Sequence, residues 1–229
     1  MTVVSGLRVY PIKSCAAMAV ESWPIGPNGL LFDREWVIVD STGAALSLKN
    51  EARLTLIKPS IDLSRGLLTI RLEDSSPETT AGAGAGTGRA KLGLPPLVIS
   101  LEETPGSGAT RAMQVCGDMC TGRVYDGDAT EWFTAALRRE CTLARRPPGS
   151  AERSQQADTA GGDTDGDGSS SKARLGFANE GQFLIVGEES VNDLQRRLPE
   201  DCDLVSGAER RRAEQSRATH AGELGLVWY

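Results

Sequence analysis

The sequence predicts a β-rich α+β protein of barrel-like architecture, and three observations carry that expectation. Short runs rich in Val, Ile and Leu recur along the chain (VVSGLRVY, REWVIVD, RLTLIK, LLTIRL, LVISL and FLIV), each bounded by Gly, Pro, Asp or Ser. Few stretches carry a helical period. The 229 residues are 39% hydrophobic, enough to fill the core of one large or two small domains. Many short strands with few helices suit a curled sheet better than an open, doubly wound one.

The elements follow in order. VVSGLRVY reads as the first strand, and Pro11 ends it because proline fixes φ and brings no N–H to a ladder; the lysine, serine and cysteine that follow then turn out of the sheet. REWVIVD is the next strong strand, and the Asp40–Gly43 segment after it reads as a hairpin loop with Gly43 at positive φ. RLTLIK, LLTIRL and LVISL supply further strands. A helix is expected over GDATEWFTAALRRE. There Asp128 can serve as N-cap with Glu131 three residues on, Trp132, Phe133, Ala136 and Leu137 share one face, and Arg138 and Arg139 suit the C-terminal end. After the strand FLIV, a second helix is expected over EESVNDLQRRLP, with Val191, Leu194 and Leu198 as its stripe and Pro199 as its stop. Residues 73–90 and 147–173 are rich in Gly, Ser, Thr, Ala and Asp. They have little to bury against the entropy of ordering them, so they read as disordered insertions.

Charge and cysteine content narrow the function classes. A net charge of -6 argues against general binding to nucleic acid or a membrane surface, so an anionic ligand would need a local basic pocket. MTVVSGLRVY lacks the basic and apolar regions of a signal peptide, and no apolar run approaches membrane-spanning length, which points to the cytosol. The five cysteines are odd in number, sparse and outside any disulfide framework, as expected for reduced thiols.

Two short segments concentrate candidate chemistry. Lys13 and Ser14 follow the proline-terminated strand, where polar side chains either meet a ligand or form an ordinary solvated loop. In GLLFDREW, Asp33 and Arg34 interrupt an apolar run. They make either a structural pair, with Asp33 capping a turn, or an anion site in which the Arg34 guanidinium joins the Lys13 ammonium. Other motifs carry less. Cys116 and Cys120 have a CxxxC spacing with no second pair, and His220 is the one histidine, so neither a closed zinc site nor a histidine-based triad is expected. Asp163, Asp165, Asp167 and Gly168 match half of a calcium loop, but Arg174 stands where its bidentate glutamate belongs. ERRRAEQSR, 209–217, reads as a solvated segment, and GAGAGTG lacks the strand and helix of a phosphate loop. No catalytic residue and no metal ligand is assigned.

Taken together, VYPIKSCAA, GLLFDREWVIVD, CTLARR and FANEGQFLIVGEESVNDLQRRL resemble the C-terminal region of molybdenum cofactor sulfurases. That region is the MOSC domain with its preceding β-barrel domain, an arrangement shared with the amidoxime-reducing proteins. The likeness covers residues 3 to 198. It implies a MOSC N-terminal β-barrel domain over 1–113, a partial MOSC domain with an incomplete barrel over 114–198, and a divergent tail over 199–229. It also implies that Lys13, Ser14 and Arg34 contact the phosphate or pterin of molybdenum cofactor (molybdopterin), and that Asn179 approaches from a second segment. Cys15 follows the motif, with inward packing as the alternative to a role at the site. The family's cysteine desulfurase region, with its lysine-bound pyridoxal phosphate, is not in this sequence, and neither is the later cysteine placed to ligate molybdenum. The resemblance therefore implies a module that holds the pterin phosphate while persulfide from a desulfurase domain or protein converts a molybdenum oxo ligand to sulfido, with recipient molybdoenzymes as further partners. Two alternatives stand beside it: a molybdenum-dependent oxidoreductase like the amidoxime-reducing proteins, and an inactive truncated fragment.

Overall fold

The structure, a computed structural model, describes residues 2–73, 93–102, 110–147, 153–154, 174–178, 181–198 and 224–228. The chain begins with β1 (Thr2–Val9), β2 (Met18–Val20), β3 (Ile25–Gly26), β4 (Gly29–Leu30) and β5 (Trp36–Asp40), then a 3₁₀ turn over Ala52–Leu56. There follow β6 (Ile57–Asp62), β7 (Leu67–Leu72), β8 (Leu97–Ser100), β9 (Thr110–Val115), β10 (Asp118–Val124), α1 (Asp128–Leu137) and β11 (Cys141–Arg145). The short β12 (Arg153–Ser154) and β13 (Arg174–Leu175) precede β14 (Ile185–Gly187), α2 (Glu188–Arg197) and β15 (Leu224–Trp228). The larger sheets have the strand orders β14-β15-β1-β2, β5-β11-β10-β9 and β6-β7-β8. The β-rich, barrel-like class expected from sequence is the one observed.

β5 organises the core. Its WVIV run has no polar residue, so it suits burial on both faces, and all four side chains are buried. Trp36 and Ile38 face the larger cluster with Ile12, Leu54, Ile57, Leu68, Phe133 and Leu143. Val37 and Val39 face a second cluster with Met113, Val115, Ala144 and Phe177. The β6-β7-β8 meander alternates as a one-sided sheet does: Ile57, Pro59 and Ile61 point inward while Lys58 and Asp62 are exposed. Pro59 is tolerated because β6 lies at the sheet edge.

Several local expectations needed correction. RLTLIK is not one strand: Glu51 accepts a hydrogen bond from the Arg53 amide at 3.2 Å, the chain takes a 3₁₀ turn, and the strand starts at Ile57. Leu54 and Ile57, both fully buried, sit at the three-residue spacing that such a turn aligns. FLIV contributes only its last two residues to β14, with Gly187 as the third. α1 buries Trp132, Phe133, Ala136 and Leu137 as expected, but Gly127 takes the N-cap position and Asp128 is the first helical residue, without a side-chain cap bond. Arg138 leaves the helix in a left-handed conformation. α2 forms where expected, yet none of its residues is buried and Leu194 is half exposed. Arg153 and Ser154, expected within a disordered insertion, pair with Leu175 and Arg174. Residues 224–228, expected in a divergent tail, run parallel to β1 and antiparallel to β14. Asp163, Asp165, Asp167, Gly168, Asn179, Cys202, His220 and the segments GAGAGTG and ERRRAEQSR lie outside the described residues. No helix among the described residues is long and apolar enough to cross a membrane.

Candidate functional site

Past Val9 the chain leaves β1 and runs beside residues 34–36. The Arg34 amide donates to the Tyr10 carbonyl at 2.7 Å, the Trp36 amide to the Pro11 carbonyl at 3.1 Å, and the Lys13 amide to the Trp36 carbonyl at 2.8 Å. Pro11 lacks a donor, so its carbonyl alone joins this ladder. Successive side chains take opposite faces: Ile12 enters the larger cluster, while Lys13 turns toward Phe177 of the second. The Lys13 ammonium donates to the Phe177 carbonyl at 2.9 Å, and the residue is only 8% exposed. The solvated-loop alternative for Lys13 is thereby removed.

Asp33 and Arg34 form the structural pair that the sequence left open. One Asp33 oxygen accepts from the Tyr10 amide at 2.7 Å, and the other pairs with the Arg34 guanidinium. Burial pushes the Asp33 carboxyl above its ordinary value, with the Arg34 charge and the Tyr10 amide pulling against it. The guanidinium also lies over the Tyr10 ring, 4.6 Å from its centroid. Pairing with Asp33 uses one guanidinium nitrogen and leaves the group partly exposed, so the pairing does not consume its capacity to meet an anion. The two loops share a backbone peculiarity: Ser14, Phe32 and Arg34 all have positive φ, at 66°, 63° and 48°. Each is the third residue of a hydrogen-bonded turn, where a positive φ ordinarily goes with glycine.

A third segment closes the junction. The Phe177 amide donates to the Arg34 carbonyl at 2.8 Å, and a Cβ at Gly176 would stand 3.0 Å from the Arg34 carbonyl and 3.3 Å from that of Asp33. A side chain there would push these carbonyls back by a few tenths of an ångström, so glycine suits this close approach. Lys13, Ser14 and Arg34 stand on adjacent, hydrogen-bonded loops, with Phe177 bonded to Lys13 and Arg34 and Gly176 close against the 33–34 carbonyls. Asn179 directly follows this segment but lies outside the described residues.

Sequence reasoning missed Arg145 at the end of β11. Its Nε is 3.2 Å from a Glu35 carboxylate oxygen, and a terminal nitrogen donates to the Leu101 carbonyl at 2.8 Å. Its guanidinium lies 4.9 Å from the Trp36 ring and 5.9 Å from that of Phe32. The CTLARR run was visible in sequence, but only the register that sets Arg145 opposite Trp36 shows what it touches.

The described cysteines offer no comparable site. Cys15 is buried, and desolvation raises its thiol far above the ordinary range, which keeps it protonated and unreactive. Burial pushes the Cys141 thiol up to about 11. Cys116 and Gly117, both at positive φ, form the two-residue turn of the β9–β10 hairpin. Among the described residues no group of His, Cys, Asp or Glu could hold a metal ion.

Comparison with known proteins gives this geometry a context. The sequence model of the MOSC N-terminal beta barrel domain matches residues 1–140. The molybdenum cofactor sulfurase of Homo sapiens is 32% identical over 199 residues, covering 86% of this chain and 19% of that protein. The molybdenum cofactor sulfurase of Oryza sativa subsp. japonica is 35% identical over 195 residues, 85% of this chain and 21% of that protein. That of Aspergillus terreus is 38% identical over 163 residues, 66% of this chain and 18% of that protein. The chain thus spans about a fifth of the length of these curated relatives.

Proposed function

The chain belongs to the MOSC N-terminal beta barrel domain family, and on that premise we propose that it is a molybdenum cofactor-binding module acting in cofactor sulfuration. One observation carries the reading: a nine-tenths buried lysine, a left-handed serine and a left-handed arginine stand on adjacent, mutually hydrogen-bonded loops. The donor set suits a phosphorylated pterin. Lys13 supplies a point charge, the Arg34 guanidinium supplies directional N–H donors, and the Ser14 hydroxyl can donate or accept. Each charge-assisted bond would contribute on the order of 1.5–3 kcal/mol, which matters on a chain of net charge -6.

In this proposal residues 1–113 carry Lys13, Ser14 and Arg34, residues 114–198 bring Phe177 and then Asn179, and the cofactor lies at their junction. The bound cofactor would supply the metal-centred chemistry, with sulfur delivered as persulfide by a cysteine desulfurase. This chain's residues bind and orient: Asp33 holds the Arg34 guanidinium, and the Phe177 carbonyl fixes the Lys13 ammonium.

The test is pterin content. Protein purified from a host that makes molybdenum cofactor is oxidised, and its fluorescent pterin is quantified beside Lys13→Ala and Arg34→Ala. Near-stoichiometric pterin in wild type, lost in either variant while the fold is kept, supports the reading. Folded wild type without pterin, or variants that retain it in full, would sink it.

A further inference from the structure

We infer that Arg145 is a positioning residue that acts through Arg34, holding the 32–36 turn in the shape that presents the guanidinium. The inference rests on the proposed cofactor site for its functional consequence, and on geometry alone for its physical content. Phe32 and Arg34 are the left-handed third residues of two successive turns, closed by the Asp33 amide on the Leu30 carbonyl at 2.9 Å and by the Glu35 amide on the Phe32 carbonyl at 3.4 Å, a position that favours glycine. One local bond each, the second of them long, holds side chains that disfavour this backbone, so contacts from outside the turn add to its hold. β11 does so at its end. The Arg145 guanidinium bonds to the Glu35 carboxylate and packs on Phe32 and Trp36, so it touches the turn at three of its five residues. Its bond to the Leu101 carbonyl anchors it on the far side, and the Arg146 amide donates to the Glu35 carbonyl at 3.1 Å. Trp36 is held in turn by its indole N–H, which donates to the Tyr125 hydroxyl at 3.1 Å.

Packing alone does not require an arginine here. A methionine could cover Phe32 and Trp36, and an apolar replacement for a buried ion pair often costs little stability, provided both partners are exchanged. What the guanidinium adds is direction. It ties Glu35 to Leu101 in one geometry, one residue beyond Arg34.

The test uses Arg145→Met paired with Glu35→Gln, so that no half-buried carboxylate is left without its cation, and Arg145→Lys as the conservative variant. Native-state amide exchange at Arg34 and Trp36 should run roughly ten- to a hundredfold faster in the double variant, the loss of one or two bonds to a charged group. The amides of Val37 to Val39 should change little, and Arg145→Lys should fall between. Retained pterin should drop about tenfold on the wild-type background and by less on an Arg34→Lys background, because coupled residues are non-additive. Exchange at 34 and 36 no faster than at 37–39 overturns the inference. Equal pterin losses on both backgrounds also overturn it, since Arg145 then does not act through Arg34. Wild type without pterin defeats the cofactor reading alone, and the exchange rates then decide whether Arg145 positions the turn.

Discussion

Five non-glycine residues among those described adopt left-handed backbone, and they divide into two kinds. Cys116 and Arg138 have local reasons: one opens a two-residue hairpin turn, the other ends a helix, and both turn types call for that conformation. Ser14, Phe32 and Arg34 each stand third in a hydrogen-bonded turn, closed by the Cys15 amide on the Ile12 carbonyl at 3.2 Å, the Asp33 amide on the Leu30 carbonyl at 2.9 Å and the Glu35 amide on the Phe32 carbonyl at 3.4 Å, a position that ordinarily calls for glycine when φ is positive. They lie on loops shaped by distant contacts, with Asp33 reaching the Tyr10 amide, Phe177 reaching Arg34, and Arg145 bracing Glu35. The contrast teaches that turn geometry sets the left-handed backbone in both places, and that at the loop junction the turns are also held by partners far along the chain.

The largest effect expected from breaking this contrast comes from Asp33→Ala. It strands a partly buried guanidinium and the Tyr10 amide, and should cost about 3–5 kcal/mol, read from urea denaturation. Gly176→Ala should follow at about 1–3 kcal/mol, because its methyl presses on the Arg34 and Asp33 carbonyls. It should also lower retained pterin, which a remote packing defect would not do. Arg138→Gly should act in the opposite direction, raising stability by about 1 kcal/mol as the left-handed penalty is relieved, with pterin unchanged.

The two carboxylates separate by sign of pH dependence. Asp40, whose carboxyl is lowered chiefly by the Thr42 hydroxyl in its hairpin, contributes stability that is present above the ordinary carboxylate value and lost as pH falls through its folded value. Asp33 is raised by burial. Its contribution is fully present below the ordinary value and is lost as pH rises through its folded value. Stability measured against pH should therefore fall less on acidification in Asp40→Asn than in wild type, and more steeply in Asp33→Asn.

Much of the frame was legible in the sequence because it depends on local pattern. The apolar run of β5, the face of α1, and Gly43 in its hairpin at φ 86° follow from period and turn chemistry. What was not legible depends on partners far along the chain. Nothing in VYPIKSC shows that Lys13 will donate to a carbonyl 164 residues away, or that Arg145 will lie on Trp36. α2 illustrates the same limit from the other side: its stripe predicts a helix, but among the described residues Leu194 stays half exposed. RLTLIK failed because an apolar run of that length is compatible with a strand or a 3₁₀ turn, and the Glu51 cap decided between them.

The most direct test replaces Ser14, left-handed at the third position of the turn that the Cys15 amide closes on the Ile12 carbonyl. Ser14→Gly should relieve its left-handed conformation and raise stability by about 1 kcal/mol, while removing a hydroxyl that the proposed site uses. Denaturation and pterin retention measured on the same preparation should thus move in opposite directions, with stability up and pterin down. If stability rises and pterin stays at the wild-type level, the strain at Ser14 serves no ligand, and the claim that these loops are shaped for cofactor binding is contradicted.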